Sequence, residues 1–309
     1  MSGLSTRDIG HRVVVRHRLD GGQATDVIGV LQSYDEQTLE VRHADSTPYR
    51  IHQTAVVAAK PIPPMPLRRV DVEQLFLTTA LGRPAVETLY VGEWLLRASG
   101  GWTGRGNSVL PAGDPGLPFS DAAKQVEAFY LERALPPLAL ARIGYPEFEE
   151  FTGLGWIDAR PAKSDALVLH TTLDHVNGVP AYEVLVAGRP DAEWYEAAFD
   201  DQVPATAPPV MEGAPKAAFA SVELDGRVVA VARGSMTGHW LGVDAVRVDP
   251  AYRRRGLATA LVQGLARWAG PAGGRRTYLE VEEENVGALT IYTALGYVEA
   301  YRYRYLTSR

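Results

Sequence analysis

The segment VRVDPAYRRRGLATALV (246–262) sets three consecutive arginines, Arg253, Arg254 and Arg255, directly before Gly256 and a run of apolar residues at helical spacing, Leu257, Leu261, Leu265 and Trp268. A helix that starts there presents backbone N–H groups without intrahelical partners, at the positive end of its dipole. That is the chemistry that holds a phosphate or a diphosphate. Gly256 allows close approach and unusual dihedrals, small Ala258 leaves the first turn open, and the arginines add charge and donors at the same end. Taken alone, the pattern equally describes a solvated basic loop before an amphipathic helix.

A second segment, EENVGALTIYTALGY (283–297), leads from a strand through Asn285 into a short helix with Ala288, Tyr292 and Leu295 on one side, and Gly296 stops that helix. With Arg253-x-x-Gly256-x-Ala258 after a strand, then Asn285, Ala288, Tyr292 and Gly296-Tyr297, residues 180–309 resemble the GNAT superfamily of N-acetyltransferases, and the order of strands and helices agrees. The resemblance implies acetyl-CoA as co-substrate, lying between two splayed parallel strands, here Trp240–Val248 and Thr277–Val281. It implies that the backbone of Val246, Arg247 and Val248 holds the pantetheine arm, with one amide facing the thioester oxygen. It also implies that the amides of Arg254, Arg255, Gly256, Leu257, Ala258 and Thr259, beside Arg253, cradle the diphosphate. A fixed N–H at that oxygen stabilises the charge that develops as an amine attacks, and juxtaposition supplies much of the remaining acceleration.

Within that resemblance Tyr292 is the expected proton donor to the leaving thiolate, its alternative being a core aromatic. Asn285 is a helix N-cap that can also touch the cofactor arm. The expected base is Asp244, which by strand parity shares a face with Val246 and Val248; it is equally an acid near a strand end. Glu280, Glu282 and His239 are the alternatives, and acid-rich VEEEN (281–285) is either an attractor of cationic amines or solvated surface.

The middle of the chain carries a worn copy. FEEFTGLGWIDA (148–159) aligns without gaps to LTIYTALGYVEA (289–300), matching Thr152, Leu154, Gly155 and Ala159 with Thr293, Leu295, Gly296 and Ala300. Phe151 stands where Tyr292 stands, and the equivalent loop AGDPGLPF (112–119) has Pro115 and Pro118 without N–H donors, an anion-repelling Asp114, and no arginines. This region is expected to be a scaffold without a cofactor site, forming one wall of the acceptor site.

The elements that must position these residues follow from patterning. HRVVVRH (11–17), TDVIGVL (25–31), TLEVRH (38–43) and TAVVAAK (54–60), separated by Asp20-Gly21-Gly22, Asp35-Glu36 and Asp45-Ser46, predict a small SH3-like β-barrel. Its His11, His17, His43 and His52 lack ligand spacing, so no metal is expected. PIPPMP (61–66) stiffens the chain. Asp71 predicts a cap for a helix through Leu81, Ser120 one for a helix to Ala134, and Asp191 one for a helix to Phe199. Strands are expected at Trp94–Ala98, Asn107–Leu110, 137–143, Ile157–Arg160, Ala166–Leu173, Tyr182–Ala187, Ala217–Leu224 and Arg227–Arg233. A glycine-rich turn lies at 100–106 and a proline-rich loop at 202–215. The expected fold is α+β: a barrel (1–63), a linker (64–69), a diverged GNAT-like domain (70–177) and a catalytic GNAT domain (178–309) with an intact acetyl-CoA site.

Composition bounds the rest. The 309 residues include no cysteine, which excludes disulfides, thiolate metal sites and a cysteine nucleophile. A net charge of −6 gives no overall reason to bind nucleic acid or anionic lipid, and no apolar run is long enough to span a membrane. The expectation is a cytoplasmic N-acetyltransferase acting on a primary amine of a small molecule or a protein. The alternative is a CoA-binding regulator or peptide-binding adaptor without turnover. Oligomeric state and acyl-chain preference leave no trace in the sequence.

Overall fold

The computed structural model describes residues 3–42, 48–62, 66–199, 203 and 205–308. His43, the Asp45-Ser46 turn, residues 63–65 of the proline-rich segment, and Gln202 and Pro204 of the long loop lie outside the described residues.

Five strands open the chain: β1 (Arg12–Arg18), β2 (Ala24–Tyr34), β3 (Thr38–Arg42), β4 (Pro48–His52) and β5 (Val56–Pro61). They pair antiparallel in the order β4-β3-β2-β1-β5. Val13 and Val15 on β1, and Leu39 and Val41 on β3, recur with the period of two that sends alternate side chains inward, and they meet Leu31 and Ile51 in a core of their own.

The next segment comprises α1 (Arg69–Gly82), the hairpin β6 (Glu87–Val91) and β7 (Trp94–Ala98), α2 (Phe119–Leu131), β8 (Leu138–Arg142), α3 (Pro146–Gly153), β9 (Ile157–Asp158), β10 (Ala166–Thr172) and α4 (Leu173–Val176). The last comprises β11 (Leu185–Ala187), α5 (Ala192–Phe199), α6 (Ala207–Glu212), β12 (Ala217–Leu224), β13 (Arg227–Thr237), β14 (Trp240–Val248), α7 (Leu257–Ala269), β15 (Arg276–Glu282), α8 (Val286–Ala294) and β16 (Val298–Thr307). Both segments build a single sheet in the order β11-β12-β13-β14-β15-β10-β16-β8, with β9 paired to β16. Their last strands are exchanged. β10 lies between β15 and β16, from Ala166 opposite Glu282 to Thr172 opposite Arg276, while β16 lies between β10 and β8. Residues 70–177 and 178–309 are therefore consecutive in the chain and interleaved in space.

The five-stranded unit rests on α4. Arg42 pairs with Asp174, and the Arg12 N–H donates to His175 Nε2 at 3.0 Å. Burial, with His11 nearby, pushes the His175 imidazole down to about 4, so it is neutral at pH 7 and its ring nitrogen is free to accept.

Several helix ends differ from expectation. Arg68, not Asp71, is the N-cap of α1; Asp71 sits three residues in and accepts from the Arg68 N–H at 3.2 Å, closing a capping box. Helix α2 starts at Phe119 with Pro118 as N-cap, so Ser120 lies inside it. The strand expected at Asn107–Leu110 is reduced to two bridges, Leu95 to Leu110 and Val109 to Ala139. The 202–215 loop contains α6, because Pro208 and Pro209 fall in its first turn, where a missing N–H costs no helical bond. Asp191 does cap α5, accepting from the Trp194 N–H at 2.8 Å.

The two aligned motifs close with the same turn. Leu154, Gly155 and Trp156 donate to Glu150, Thr152 and Phe151 at 3.1, 2.9 and 3.1 Å; Leu295, Gly296 and Tyr297 donate to Ile291, Thr293 and Tyr292, each at 3.0 Å. Gly155 (φ +86°) and Gly296 (φ +78°) both hold the left-handed conformation that ends a helix. No helix among the described residues is long and apolar enough to cross a membrane.

Candidate active site

Strands β14 and β15 run parallel only from Trp240–Val243 against Arg276–Leu279. Beyond that they separate, and the β15-facing edge of β14 from Asp244 to Val248 has no strand partner among the described residues. On its other edge β14 is bulged. Arg233 lies opposite Asp244 and Val231 opposite Arg247, so Ala245 and Val246 together face Ala232, and Ala245 takes φ +50°. A bulge of this kind bends the strand and moves later side chains to the other face. Val243, Val246 and Val248 consequently pack on the core beneath α7. Asp244 points the opposite way, which corrects the expectation that it shares a face with Val246 and Val248.

Asp244 meets two arginines there. Arg233, fully buried, donates from Nη1 to Oδ2 at 2.7 Å, and Arg83 donates to the same oxygen at 3.1 Å. The remaining Arg233 nitrogens are satisfied by the carbonyls of Met211 (2.6 Å) and Gly82 (2.8 Å), which ties β13 to α6 and α1. Burial alone would raise the carboxyl pKa; the two guanidiniums outweigh it and hold Asp244 below the ordinary carboxylate range. Asp244, expected as the base, is thus an ionised carboxylate fixed between two guanidiniums.

Glu280 faces Asp244 across the split. Its Oε2 accepts from Arg105 Nε at 2.8 Å and from the Tyr303 hydroxyl at 2.7 Å. A cavity of about 20 Å³, lined in part by Arg83, Arg105, Asp244, Tyr278 and Glu280, separates the two carboxylates. It has room for one water, and the buried Asp244 Oδ1 beside it lacks a protein partner. Arg83 and Arg105 also line a larger cavity of about 240 Å³ that opens outward. Of the other candidates, His239 precedes β14 at the end remote from the split, and Glu282 lies at the rim, 3.4 Å from Lys163.

At the far end of β14 the chain enters α7. Asp249 caps a single turn at Pro250–Tyr252, and Arg253 Nε donates to the Val248 carbonyl at 3.2 Å. Arg255 folds over the Tyr252 ring, its guanidinium carbon 5.0 Å from the centroid. Arg254, at φ +63°, is exposed and makes no such contact with described residues. Gly256 is the N-cap at φ +86°, and a Cβ placed there would meet no atom within 4 Å. Having no side chain, it leaves the first amides of α7 uncapped, whereas Asn285 Oδ1 accepts the Ala288 N–H at 3.1 Å and caps α8 itself. The open amides, the space at Gly256 and the unpaired edge of β14 fit a diphosphate continued by an amide-bearing arm.

Tyr292 lies on α8, the helix that follows β15. It is 7% exposed, edge-on to Tyr297 at 5.7 Å, and its hydroxyl has no hydrogen-bond partner among the described residues. Burial pushes it up to about 12, so it stays protonated. Phe151 occupies the matching place in the middle segment, where it is fully buried against Trp94, Phe119 and Trp156 at 5.6, 4.8 and 4.6 Å. The Asp114 and Gly116 amides of the 112–119 loop are taken by the carboxylates of Glu93 (2.6 Å) and Asp114 (2.8 Å). The parallel pair there has shrunk to the Val109–Ala139 bridge.

Sequence reasoning missed Arg233, Arg83, Arg105 and Tyr303. A charge inside the apolar run VVAVARGSM (228–236) was the available signal for Arg233, and a cation flanked by glycines in GGWTGRG (100–106) the signal for Arg105. The middle segment's Arg105 reaching β15 across the sheet had none.

Comparison with known proteins places this geometry. Residues 70–306 match the family described as probable histone acetyltransferase Rv0428c C-terminal, and residues 7–60 the Rv0428c N-terminal Sm-like domain, so the first unit is Sm-like where an SH3-like barrel was expected. The chain is 27% identical over 317 residues to the probable histone acetyltransferase Rv0428c of Mycobacterium tuberculosis, covering 99% of this chain and 97% of that one. It is 24% identical over 254 residues to the uncharacterized N-acetyltransferase YobR of Bacillus subtilis, covering 77% and 99%. Among solved structures it superposes on a GCN5-related N-acetyltransferase from Kribbella flavida (TM-score 0.55, 19% identity, 78% of this chain and 94% of that one). It also superposes on a tandem GNAT protein from the clavulanic acid biosynthesis pathway (TM-score 0.53, 14% identity, 80% and 90%). The chain belongs to the Rv0428c family of GNAT acetyltransferases and is an acetyl-transferring enzyme.

Proposed function

We propose that the protein transfers an acetyl group from acetyl-CoA to a primary amine by direct attack within a ternary complex. One observation carries the reading: the uncapped amides of α7 follow on from β14, whose β15-facing edge is unpaired beyond Val243 and whose other edge is bulged. The first amides of α7, with Arg253–Arg255, hold the diphosphate, and the backbone of Val246, Arg247 and Val248 holds the arm. Acetyl-CoA supplies the activated acyl group. A β14 amide on the unpaired, β15-facing edge faces the thioester oxygen and stabilises its charge as the amine nitrogen attacks and the carbon–sulfur bond breaks.

Tyr292 keeps its proton until the thiolate leaves and then donates it. The amine's proton passes through water in the small cavity to Glu280, on the acceptor side of the sheet. Asp244 holds Arg83 and Arg233 and thereby fixes the split. The middle segment is a second, diverged GNAT unit that has lost its cofactor site and forms a wall of the acceptor cleft; the shared turn at Gly155 and Gly296 supports that descent. The acceptor is an amine of a small molecule or a protein, the latter in keeping with the histone acetyltransferase name of the M. tuberculosis relative. The test is calorimetric titration with acetyl-CoA, paired with release of free CoA across a panel of amines. One bound acetyl-CoA and amine-dependent release are expected; binding without release from any amine would leave a regulator instead.

A further inference from the structure

The larger cavity, about 240 Å³, lies where the 100–106 loop crosses the ends of β15, β10 and β16. Five cations line it, and four are neutralised: Arg83 by Asp244, Arg105 by Glu280, Lys163 by Glu282, and Arg304 by Asp165 and Asp158. Arg160 alone has no carboxylate within ion-pair distance among the described residues. It is half-buried and stacked on Tyr305, its guanidinium carbon 4.3 Å from the ring centroid, which fixes its plane and leaves its donors directed elsewhere.

The opposite wall is built to meet it. A Cβ on Gly104 would come within 2.4 Å of Arg160 Nη2 and 2.7 Å of the Tyr305 ring, so only glycine lets the loop close over this pair. Asn107, itself 4% exposed, pins the loop by accepting from the Ser99 and Gly101 amides at 2.7 and 2.8 Å and donating to the Thr103 carbonyl at 2.7 Å. The loop is pinned in this way, and the cleft ends on an unpaired guanidinium at one side and on Arg105 and Tyr303 at the other, whose shared partner Glu280 faces the adjoining small cavity.

Resting on the acetyltransferase reading above, we propose that the acceptor is a small amine bearing a carboxylate, with Arg160 binding the carboxylate while the amine points to Glu280. An arginine held planar and lacking an anion pairs with carboxylate in bidentate fashion. Tyr305 carries Arg160 and Tyr303 carries Glu280, one two-residue step apart on β16, roughly 7 Å. The acceptor's two ends are thus separated by a few bonds. The carboxylates around the cleft, Asp158, Asp165, Asp244, Glu280 and Glu282, are each paired already, so a polycationic lysine-rich segment would find no unpaired anion among them and one unpaired cation.

The test measures CoA release with amino carboxylates of increasing chain length, from glycine to 6-aminohexanoate, against their carboxamides and a lysine-rich basic peptide. At least a tenfold higher kcat/KM for a carboxylate over its carboxamide is expected. In Arg160→Gln that preference should vanish through a raised KM for the carboxylate alone, with the KM for acetyl-CoA unchanged, and Arg160→Lys should restore part of it. Equal use of carboxylate and carboxamide, preference for the basic peptide, or an equal loss on both acceptors in Arg160→Gln would overturn the proposal. If no amine turns over, titration of the CoA-saturated protein with the same amino carboxylates decides, and absence of Arg160-dependent binding overturns it. Failure to bind acetyl-CoA at all would instead remove the acetyltransferase reading beneath it.

Discussion

The loops at 112–119 and 249–256 each lead into a helix, yet they treat their backbone amides in opposite ways. In the first, Glu93 and Asp114 consume the N–H groups, Pro118 is the N-cap, and Phe119 and Phe151 fill the space below with aromatic rings. In the second, Gly256 caps nothing, three arginines surround open amides, and Tyr292 keeps a hydroxyl without a protein partner. The first loop is thus closed on itself, and the second leaves amides and space for the diphosphate proposed above. The difference lies in a few side chains and in whether the parallel strand pair opens or closes to a single bridge.

The largest expected effect tests whether the halves can be compared as separate units at all. Because β10 lies between β15 and β16, a fragment of residues 178–309 should lack the middle of its sheet and show no cooperative thermal unfolding. A fragment that melts cooperatively and binds CoA would mean that the exchange of strands is dispensable.

Next comes the phosphate loop. Gly256→Asp puts a side chain at φ +86° and an anion at the helix start, so acetyl-CoA affinity measured by calorimetry should fall at least about a hundredfold. Gly116→Asp, at φ +73° in the other loop, should leave that affinity unchanged. Equal losses would erase the distinction between the loops.

The two carboxylates at the split differ in their expected effects. Asp244→Asn leaves Arg83 and Arg233 without their anion and should cost about 3–5 kcal/mol in denaturant unfolding. Since the folded pKa of Asp244 is depressed, its contribution is present above the unfolded value of about 3.9 and is lost as pH falls toward the folded one. The asparagine variant should therefore lose less stability on acidification than wild type. Glu280→Gln should lower kcat with acetyl-CoA affinity retained, and because Arg105 loses its anion it should also lower the melting temperature.

The hydroxyl exchange is smaller. Tyr292→Phe should lower kcat about 10- to 100-fold with acetyl-CoA affinity retained. Phe151→Tyr buries an unpaired hydroxyl and should cost about 1–3 kcal/mol of stability without adding activity. Smallest of all, deleting residues 1–63 removes the Arg42–Asp174 and Arg12–His175 contacts and should leave turnover of small amines within about twofold.

The parts of this comparison that could be read from sequence are those encoded locally. The arginine loop, Gly256, the Asn285 cap and the Gly155 and Gly296 helix stops depend on neighbours a few residues away, and periodicity locates β12 and β14 to the residue. What escaped depends on distant partners. No glycine or proline marks the bulge at Ala245; it arises from register against β13, and it turns Val246 and Val248 to the face opposite Asp244. Nothing local announces that β10 inserts between β15 and β16, or that Arg105 reaches Glu280 from the other half of the chain. The face of Asp244 was misjudged for that reason: strand parity was carried through a residue where the strand slips.

A crystal structure of the protein with CoA tests the central claim most directly. The account predicts a single CoA per chain, its diphosphate on the amides that open α7, its arm along β14 beyond Asp244, and nothing at the 112–119 loop. A diphosphate on the 112–119 loop, or an arm that avoids the unpaired edge of β14, would contradict it.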